Sequence, residues 1–216
     1  MKCFSRLQIA SAAILLLCGS LAWGTDVSML KPPKGSKVAI IVFEDLECPQ
    51  CAKAAPMLHE AAKKYNVPLV EHDFPLRQHP WSYEAAVNAR YFDSKSEKLG
   101  DEYRLYIFAN QASITKQNLR GITEKWAQDH GITLPFIVDP TGAFAAKVDA
   151  DRSMGERIPL QHTPTIYIVN DSGRGAAVTE VPELTDLYQQ LDIAVKAAGV
   201  TAEAHKPTSA HKSTTR

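Results

Sequence analysis

The chain has 216 residues, of which 45% are hydrophobic and 22% are charged, the ordinary composition of a globular protein with a sizeable core. Lysine plus arginine and aspartate plus glutamate number 24 each, and no basic segment is interleaved with aromatic residues, which argues against a nucleic-acid partner. The length suits one domain, or one domain that carries an insertion.

The first 24 residues have the pattern of a secretory signal peptide. Lys2 and Arg6 form a short positive region, residues 9–18 are almost entirely apolar, and residues 22–24 offer a cleavage site. The apolar stretch is shorter than the roughly 20 residues that a membrane-spanning helix needs, although an uncleaved anchor stays open as the alternative. We therefore expect export and exclude residues 1–24 from the fold.

Cleavage would leave only two cysteines in the mature chain, Cys48 and Cys51, because Cys3 and Cys18 would leave with the signal. A domain of about 190 residues needs no disulfide staple. A bridge between cysteines three positions apart also closes a loop too small for much entropic stabilisation. The pair is therefore better explained by chemistry than by stability.

A strand, a helix and a second strand are predicted around this pair, after an irregular lead-in at 25–36. The apolar, β-branched run 38–43 is typical of a strand buried on both faces. Pro49 suits the first turn of a helix, and apolar residues then recur at helical spacing until Asn66. Residues 67–74 predict the second strand.

The middle of the chain is predicted to be a helical insertion at about 80–155, because apolar stripes at helical spacing recur there without a convincing strand. Residues 165–169 and 176–181 then predict a β-hairpin, and residues 183–198 predict a closing helix. The polar tail 201–216 has no apolar period and is predicted to be disordered.

The motif Cys48-Pro49-Gln50-Cys51 follows a buried strand and opens a helix, which gives the pair a specific chemistry. The first cysteine faces the unpaired N–H groups and the positive end of the helix, and both stabilise a thiolate. Cys48 is therefore predicted to be the exposed nucleophile of low pKa. Cys51, one turn further on, is predicted to be the buried resolving partner.

Metal binding and a purely structural disulfide stay open as alternatives for the cysteine pair. Zinc sites usually need four ligands, and His59, His72 and His79 are the histidines that could complete such a site with the cysteines. Redox chemistry is favoured over both alternatives, with no metal and no cofactor.

A second signal, Thr163-Pro164-Thr165, lies where the strand 165–169 is predicted to begin. Proline cannot donate into a central ladder, so its place at the start of a strand needs a reason. Only about 5–6% of X–Pro bonds are cis, but a cis Thr163–Pro164 bond would turn the Thr163 peptide groups toward the cysteines. In combination with the cysteine pair, the motif predicts a cis bond.

Together these motifs resemble the DsbA-like branch of the thioredoxin superfamily, of the thioredoxin-4 type. The resemblance covers about residues 37–198 and rests on the segments 43–51, 73–80 and 162–165. It implies an α/β, thioredoxin-like fold over residues 37–200 with a helical insertion domain. It also implies a catalytic disulfide and a cis proline beside that disulfide.

Seven residues make up the predicted site. They are Cys48, Cys51 and Pro164 as catalytic residues, Pro49, Gln50 and Thr163 as substrate contacts, and Glu47 as a candidate proton shuttle for Cys51. For Glu47 the alternative is a solvated loop carboxylate.

The resemblance also has departures that bear on the strength of the oxidant. The strong oxidants of the family carry Pro-His between the cysteines, whereas Gln50 offers only a neutral amide dipole. Glu44, Asp45 and Glu47 add negative charge nearby, which disfavours a thiolate. We therefore expect a weaker oxidant than the Pro-His type.

These observations predict an exported thiol–disulfide oxidoreductase, foremost a DsbA-like oxidase, that is periplasmic or otherwise exported. Its expected partners are reduced or misoxidised exported proteins. The resemblance further implies a quinone-linked membrane redox partner, either DsbB-like or vitamin K epoxide reductase-like. Two alternatives remain: a reductase or isomerase kept reduced by a membrane donor, and a periplasmic metal-binding or redox-partner-binding module.

Overall fold

A computed structural model of the protein describes residues 26–171 and 175–200. The signal peptide predicted at 1–24 and the tail predicted at 201–216 lie outside these residues. Within the lead-in, residues 26–36 form turns but neither a helix nor a strand.

The described residues contain four strands and six α-helices, with a short 3-10 turn before α4 and another before α6. In chain order they are β1 (Val38–Glu44), α1 (Pro49–Tyr65), β2 (Leu69–Asp73), α2 (Ser82–Asp93), α3 (Glu97–Asn110), the turn Gln111–Ser113, α4 (Leu119–Asp129), α5 (Ala143–Arg157), β3 (Thr165–Asp171), β4 (Ala176–Glu180), the turn Leu184–Asp186 and α6 (Leu187–Ala197).

The four strands form one sheet in the order β2-β1-β3-β4. β1 pairs in parallel with β2 and antiparallel with β3, which pairs antiparallel with β4. Helix α1 makes the crossover between β1 and β2, whereas α2 to α5 all lie between β2 and β3. The prediction of an α/β, thioredoxin-like fold with a helical insertion is confirmed.

Strand β1 forms the centre of the sheet core, because all seven of its residues are buried. Successive side chains of a strand point to opposite faces. Val38, Ile40 and Val42 therefore pack in the cluster that contains residues of α1 and α6. Ile41 and Phe43 pack on the opposite face. The near-continuous apolar run of β1 thus reflects burial on both sides.

The helical insertion has its own core, which is built on aromatic rings. The ring centroids of Phe92 and Tyr103 lie 4.7 Å apart, and Trp126 lies 4.7 Å from Phe92 and 5.2 Å from Tyr103. Cys48 and Cys51 belong to the same buried cluster. The insertion therefore packs directly against the cysteine pair.

Two predicted boundaries are too wide. The second strand, predicted at 67–74, spans Leu69–Asp73, since Asn66 ends α1 in the left-handed conformation and the chain must turn back before it can pair. The closing helix begins at Leu187, because the residues before it form a 3-10 turn. Across residues 26–171 and 175–200, no helix combines the length and the apolarity needed to cross a bilayer.

Candidate active site

The cysteine pair lies where the chain passes from β1 into α1. Helix α1 begins at Pro49, with Cys48 in the N-cap position, and proline is tolerated there because a first-turn N–H has no helical partner. The Cys48 carbonyl accepts a hydrogen bond from the Ala52 N–H at 3.2 Å. The Cys48 sulfur is thus held at the positive end of a 17-residue helix.

The loop before β3 approaches this sulfur from the opposite side. The Thr163–Pro164 peptide bond is cis, as the sequence predicts. The Cys48 thiol donates a hydrogen bond to the Thr163 carbonyl at 3.3 Å. Two segments 115 residues apart in the chain therefore meet at one sulfur atom.

Hydrogen-bond donors lower the pKa of the Cys48 thiol to about 5, and the thiol of Cys51 makes the largest contribution. Burial opposes this effect, while Thr163 and the backbone N–H groups of Cys51 and Gln50 add to it. The Thr163 hydroxyl is buried without a hydrogen-bond partner among the described residues, so it is available to a thiolate. The predicted low pKa of Cys48 is in accord with this environment.

The predicted exposure of Cys48 is wrong. The residue is only 7% exposed, against 1% for Cys51, because the helical insertion and the loop before β3 close around it. Pro49 and Gln50, between the two cysteines, are exposed. The structure therefore opens the motif to solvent at its two central residues and leaves only a small part of Cys48 accessible.

Cys51 has the opposite electrostatic environment. Burial raises the pKa of its thiol strongly, and the hydrogen bond to Cys48 and the carboxyl group of Glu44 raise it further. The backbone N–H of Asp45 donates to the Cys51 sulfur at 3.4 Å and acts in the other direction. Cys51 is therefore a buried thiol with one hydrogen-bond donor ready for a negative sulfur.

The acidic residues before the pair do not act as the sequence suggested. Glu44 is 3% exposed, and its pKa is raised well above the usual range, first by burial and then by Glu71. The negative charge of Glu44 raises the pKa of Cys51. At Cys48, the hydrogen bonds that lower the pKa outweigh the burial that raises it. The expectation that these acids work against the Cys48 thiolate is therefore not supported.

Asp45 is a buried carboxylate that fixes the active-site loop through several hydrogen bonds. It is 1% exposed, and its carboxylate accepts hydrogen bonds from four groups. The donors are the Glu47 N–H at 2.7 Å, the Leu76 N–H at 2.7 Å, the His79 Nδ1 at 2.7 Å and the Ser82 hydroxyl. Sequence reasoning treated Asp45 only as a nearby charge, because three of these partners lie 31 to 37 residues further along the chain.

Glu47 points toward a helix terminus. Its Oε2 accepts hydrogen bonds from the N–H groups of Trp81 at 2.8 Å and Ser82 at 3.1 Å, at the start of α2. A carboxylate in this place satisfies helix donors that have no partner within the helix. The structure therefore gives Glu47 a capping role, and Glu44 is the acid whose charge reaches Cys51.

The histidines considered as metal ligands each lie beside a carboxylate. His59 lies 3.2 Å from Glu71, His72 lies 2.7 Å from Asp151, and His79 lies 2.7 Å from Asp45. Within residues 26–171 and 175–200, no three His, Cys, Asp or Glu side chains form a group suited to hold a metal ion.

Comparison with solved structures identifies the same architecture in DsbA-type proteins. The α-DsbA1 of Wolbachia pipientis superposes with a TM-score of 0.60 at 15% identity, covering 79% of this chain and 96% of that chain. Oxidised BdbD of Bacillus subtilis gives 0.60 at 17% identity, with coverages of 77% and 91%. Reduced DsbA1 of Neisseria meningitidis gives 0.57 at 18% identity, with coverages of 79% and 89%.

A curated relative is matched over only part of its own length. The chain is 25% identical over 150 residues to the Na(+)/H(+) antiporter NhaA 1 of Salinispora arenicola, a match that covers 66% of this chain but 22% of that protein. The family model Thioredoxin_4, described as thioredoxin, matches residues 33–180. The cysteine pair, the cis proline and the helical insertion all lie within this match, and the chain therefore belongs to the Thioredoxin_4 family, with the fold of the DsbA-type structures.

Proposed function

We propose that this protein is an exported thiol–disulfide oxidase that introduces disulfides into reduced or misoxidised exported proteins. The observation that carries the proposal is the contrast between the two sulfurs. Cys48 has a pKa lowered to about 5, whereas the pKa of the buried Cys51 is raised. A stabilised Cys48 thiolate favours the reduced enzyme, and an enzyme with a stable reduced form is an oxidant.

The catalytic cycle follows from this contrast. A substrate thiolate attacks the Cys48 sulfur of the oxidised enzyme, the Cys48–Cys51 bond breaks, and Cys51 leaves as a thiolate that takes up a proton. A second substrate thiolate then attacks the substrate sulfur of the mixed disulfide, and Cys48 leaves. The substrate loses two electrons as its disulfide forms, and the enzyme gains them as a dithiol.

The remaining predicted residues bind and orient the substrate in this proposal. The Thr163 carbonyl lies 3.3 Å from the Cys48 sulfur, so an extended substrate segment beside Pro164 would bring its own sulfur to the same point. Pro49 and Gln50 are exposed next to that position and are suited to touch the substrate. Glu47 is replaced as the candidate proton shuttle by Glu44, whose charge acts on Cys51.

Continued turnover requires that the reduced enzyme be reoxidised. We propose a quinone-linked membrane partner for this step, DsbB-like or vitamin K epoxide reductase-like, and a periplasmic or otherwise exported location. The supporting feature is the signal-peptide pattern of residues 1–24. N-terminal sequencing of protein recovered from the exporting cell tests the location: a mature end near residue 25 supports it, and an unprocessed cytoplasmic protein contradicts it.

The function itself is tested by the oxidation of a reduced, unfolded protein substrate. The wild type should restore the substrate's disulfides at a rate that Cys48→Ser abolishes, and Cys51→Ser, which has no Cys48–Cys51 disulfide to transfer, should be equally inactive. Acid trapping of the protein from its compartment then separates the alternatives. A disulfide supports the oxidase, a dithiol favours a reductase or isomerase, and bound copper or zinc favours a binding module.

A further inference from the structure

One side chain of the helical insertion reaches into the active-site loop. Gln111 begins the 3-10 turn that follows α3. Its Nε2 donates a hydrogen bond to the carbonyl of Leu46 at 2.7 Å and another to the carbonyl of Cys48 at 3.1 Å. An amide nitrogen carries two hydrogens, so both donors of Gln111 are engaged with the loop that ends at the nucleophile.

We propose that Gln111 is a positioning residue for the Cys48 thiolate, supplied by the helical insertion. The proposal rests on the proposed function, since it concerns the same sulfur. It extends the site beyond the seven residues that the sequence indicates. Gln111 lies 63 residues from Cys48 in the chain, and no motif marks it.

Burial makes this pair of hydrogen bonds consequential. Leu46 is 2% exposed and Cys48 is 7% exposed, and buried carbonyls are nearly always paired. The Cys48 carbonyl also accepts the Ala52 N–H, so Gln111 supplies its second hydrogen bond. Loss of the amide would leave Leu46 and Cys48 to find new partners, which requires the loop to move.

Movement of this loop would act on the sulfur, because the groups that stabilise the thiolate are close and directional. The N–H groups of Gln50 and Cys51 lower the Cys48 pKa only while they point at the sulfur. The Thr163 side chain, whose buried hydroxyl has no hydrogen-bond partner among the described residues, likewise lowers this pKa only at short range. By fixing both carbonyls ahead of α1, Gln111 fixes the direction in which the Cys48 side chain leaves the backbone.

The insertion is rigid enough to serve as the anchor. Within α3, the Arg104 guanidinium holds Asp93 of α2 at 2.7 and 3.0 Å. The Tyr103 hydroxyl lies 2.8 Å from Thr123 of α4. Helix α3 is therefore fixed to the helix before it and to the helix after it in the chain. The turn that carries Gln111 directly follows the last residue of α3.

The test compares Gln111→Met with Gln128→Met, a matched control at an exposed position on α4. Both variants and the wild type are studied as full-length dithiol protein. The rate of Cys48 alkylation by iodoacetamide is measured against pH, and the enzyme is equilibrated with glutathione. Methionine keeps the length of the side chain but removes both N–H donors.

Gln111→Met should move the alkylation midpoint upward by at least about half a pH unit and shift the glutathione equilibrium about threefold toward the enzyme disulfide. Threefold corresponds to about 15 mV for a two-electron couple. Gln128→Met should match the wild type. A Gln111→Met protein that folds and keeps the wild-type midpoint and equilibrium would overturn the proposal.

Gln111→Glu gives a second test if the methionine variant does not fold. The introduced carboxyl group keeps one O–H donor while it is protonated, and it has none once it is ionised. The departure of this variant from the wild-type glutathione equilibrium should therefore be larger at pH 7 than at pH 5. An equilibrium identical to that of the wild type at both pH values would contradict the proposal.

Turnover of reduced substrate by the wild type is measured alongside, so that two failures can be told apart. Absence of wild-type turnover defeats the proposed function. Normal turnover together with unshifted variants defeats only the role of Gln111.

Discussion

The thiolate of Cys48 is stabilised by hydrogen-bond donors that the fold brings to one sulfur. The strongest comes from Cys51 itself, and the others come from Thr163 and from the N–H groups at the start of α1. Each of these groups is neutral, and together they outweigh the cost of burial. Gln50, which stands where the strong oxidants of the family have a histidine, therefore still permits a low pKa.

We predict that Cys48 is alkylated with a midpoint near pH 5, the value to which its pKa is lowered. This lies between the values of about 7 for thioredoxin and about 3.5 for DsbA. The reduction potential should accordingly fall between about −270 and −120 mV, the potentials of those two proteins. Equilibration with glutathione measures it, and a potential of about −120 mV or higher would contradict the argument.

Glu44 and Glu47 allow a matched comparison of two carboxyl groups. Glu44 raises the pKa of Cys51 through its charge, and its own pKa is raised well above the usual range, first by burial and then by Glu71. Glu47 instead accepts two N–H donors at the start of α2. The same chemical change, glutamate to glutamine, should therefore have different consequences at the two positions.

We predict that Glu44→Gln slows the attack of Cys51 on a mixed disulfide by about tenfold or more, since proton transfer by a positioned group contributes about 10²–10⁴-fold. The Cys48 alkylation midpoint should stay unchanged. Stopped-flow release of glutathione from the Cys48 mixed disulfide measures the rate. Glu47→Gln should keep that rate and lower the unfolding midpoint instead, so equal slowing by both variants would refute the distinction.

At the scale of elements, the contact between α5 and the loop after β2 depends on one glycine. A Cβ added at Gly155 would lie 2.5 Å from the Phe74 ring and 2.9 Å from Leu160. The Phe74 ring cannot easily withdraw, because it meets Phe43 edge-on with centroids 6.5 Å apart. Gly121 in α4 is the natural comparison, since its added Cβ would have no atom within 4 Å.

Gly155→Ala should destabilise the protein by about 1–3 kcal/mol, the usual cost of overpacking a filled site. Gly121→Ala should instead stabilise it by up to about 1 kcal/mol, because alanine is the better helix former. Urea unfolding of both variants measures the two free energies of unfolding. A neutral or stabilising Gly155→Ala would show that Phe74 and Leu160 repack freely.

Elements with a strong local pattern could be predicted from the sequence, and elements defined by distant partners could not. The buried run of β1 and the proline at the start of α1 carry their own signals, as does the hairpin of β3 and β4. Helix α3 was covered only by the general prediction of a helical insertion. Its interior includes Gly100 and the buried Arg104, which obscure the apolar stripe.

The residues of the candidate site fall into the same two groups, those with a local sequence pattern and those defined by distant partners. Cys48, Cys51 and Pro164 could be proposed as site residues because adjacent residues mark them as motifs. The contacts of Asp45 and of Gln111, the residue proposed above, could not be predicted, since they are hydrogen bonds to segments 31 to 65 residues away. Burial of Cys48 was missed for the same reason: the residues that cover it belong to other elements.

On the scale of the whole molecule, a buried ion cluster joins the helical insertion to the sheet. Arg104 is 1% exposed and binds Asp93 through two nitrogens. Its guanidinium also lies 4.0 Å from Glu44 of β1, and 3.9 Å from both Glu71 and Asp73 of β2. One cation thus faces four carboxyl groups on three elements, and a second cation, Arg90, binds Asp73, Asp93 and Asp151.

Arg104→Leu should therefore destabilise the protein by about 3–5 kcal/mol at pH 7, the cost of leaving buried charges without their partner. Arg152→Leu is the control. Its i,i+4 pair with Glu156 lies at the surface, so Arg152→Leu should lower the free energy of unfolding by no more than about 1 kcal/mol. Urea unfolding at a series of pH values measures both variants.

The pH dependence tests whether uncompensated charge causes the loss. Burial raises the pKa of Glu44 and Asp73 in the folded wild type, and Arg104 opposes this rise in both. Without Arg104 both pKa values should rise further, so the folded variant binds protons more readily than the unfolded chain. Protonation then favours the folded state, and this stabilisation is present at low pH and lost as the pH rises through the folded pKa values.

The stability deficit of Arg104→Leu relative to wild type should consequently shrink between pH 7 and about pH 5. A deficit that stays constant or grows over this range would mean that lost packing, rather than unpaired carboxylates, explains the effect.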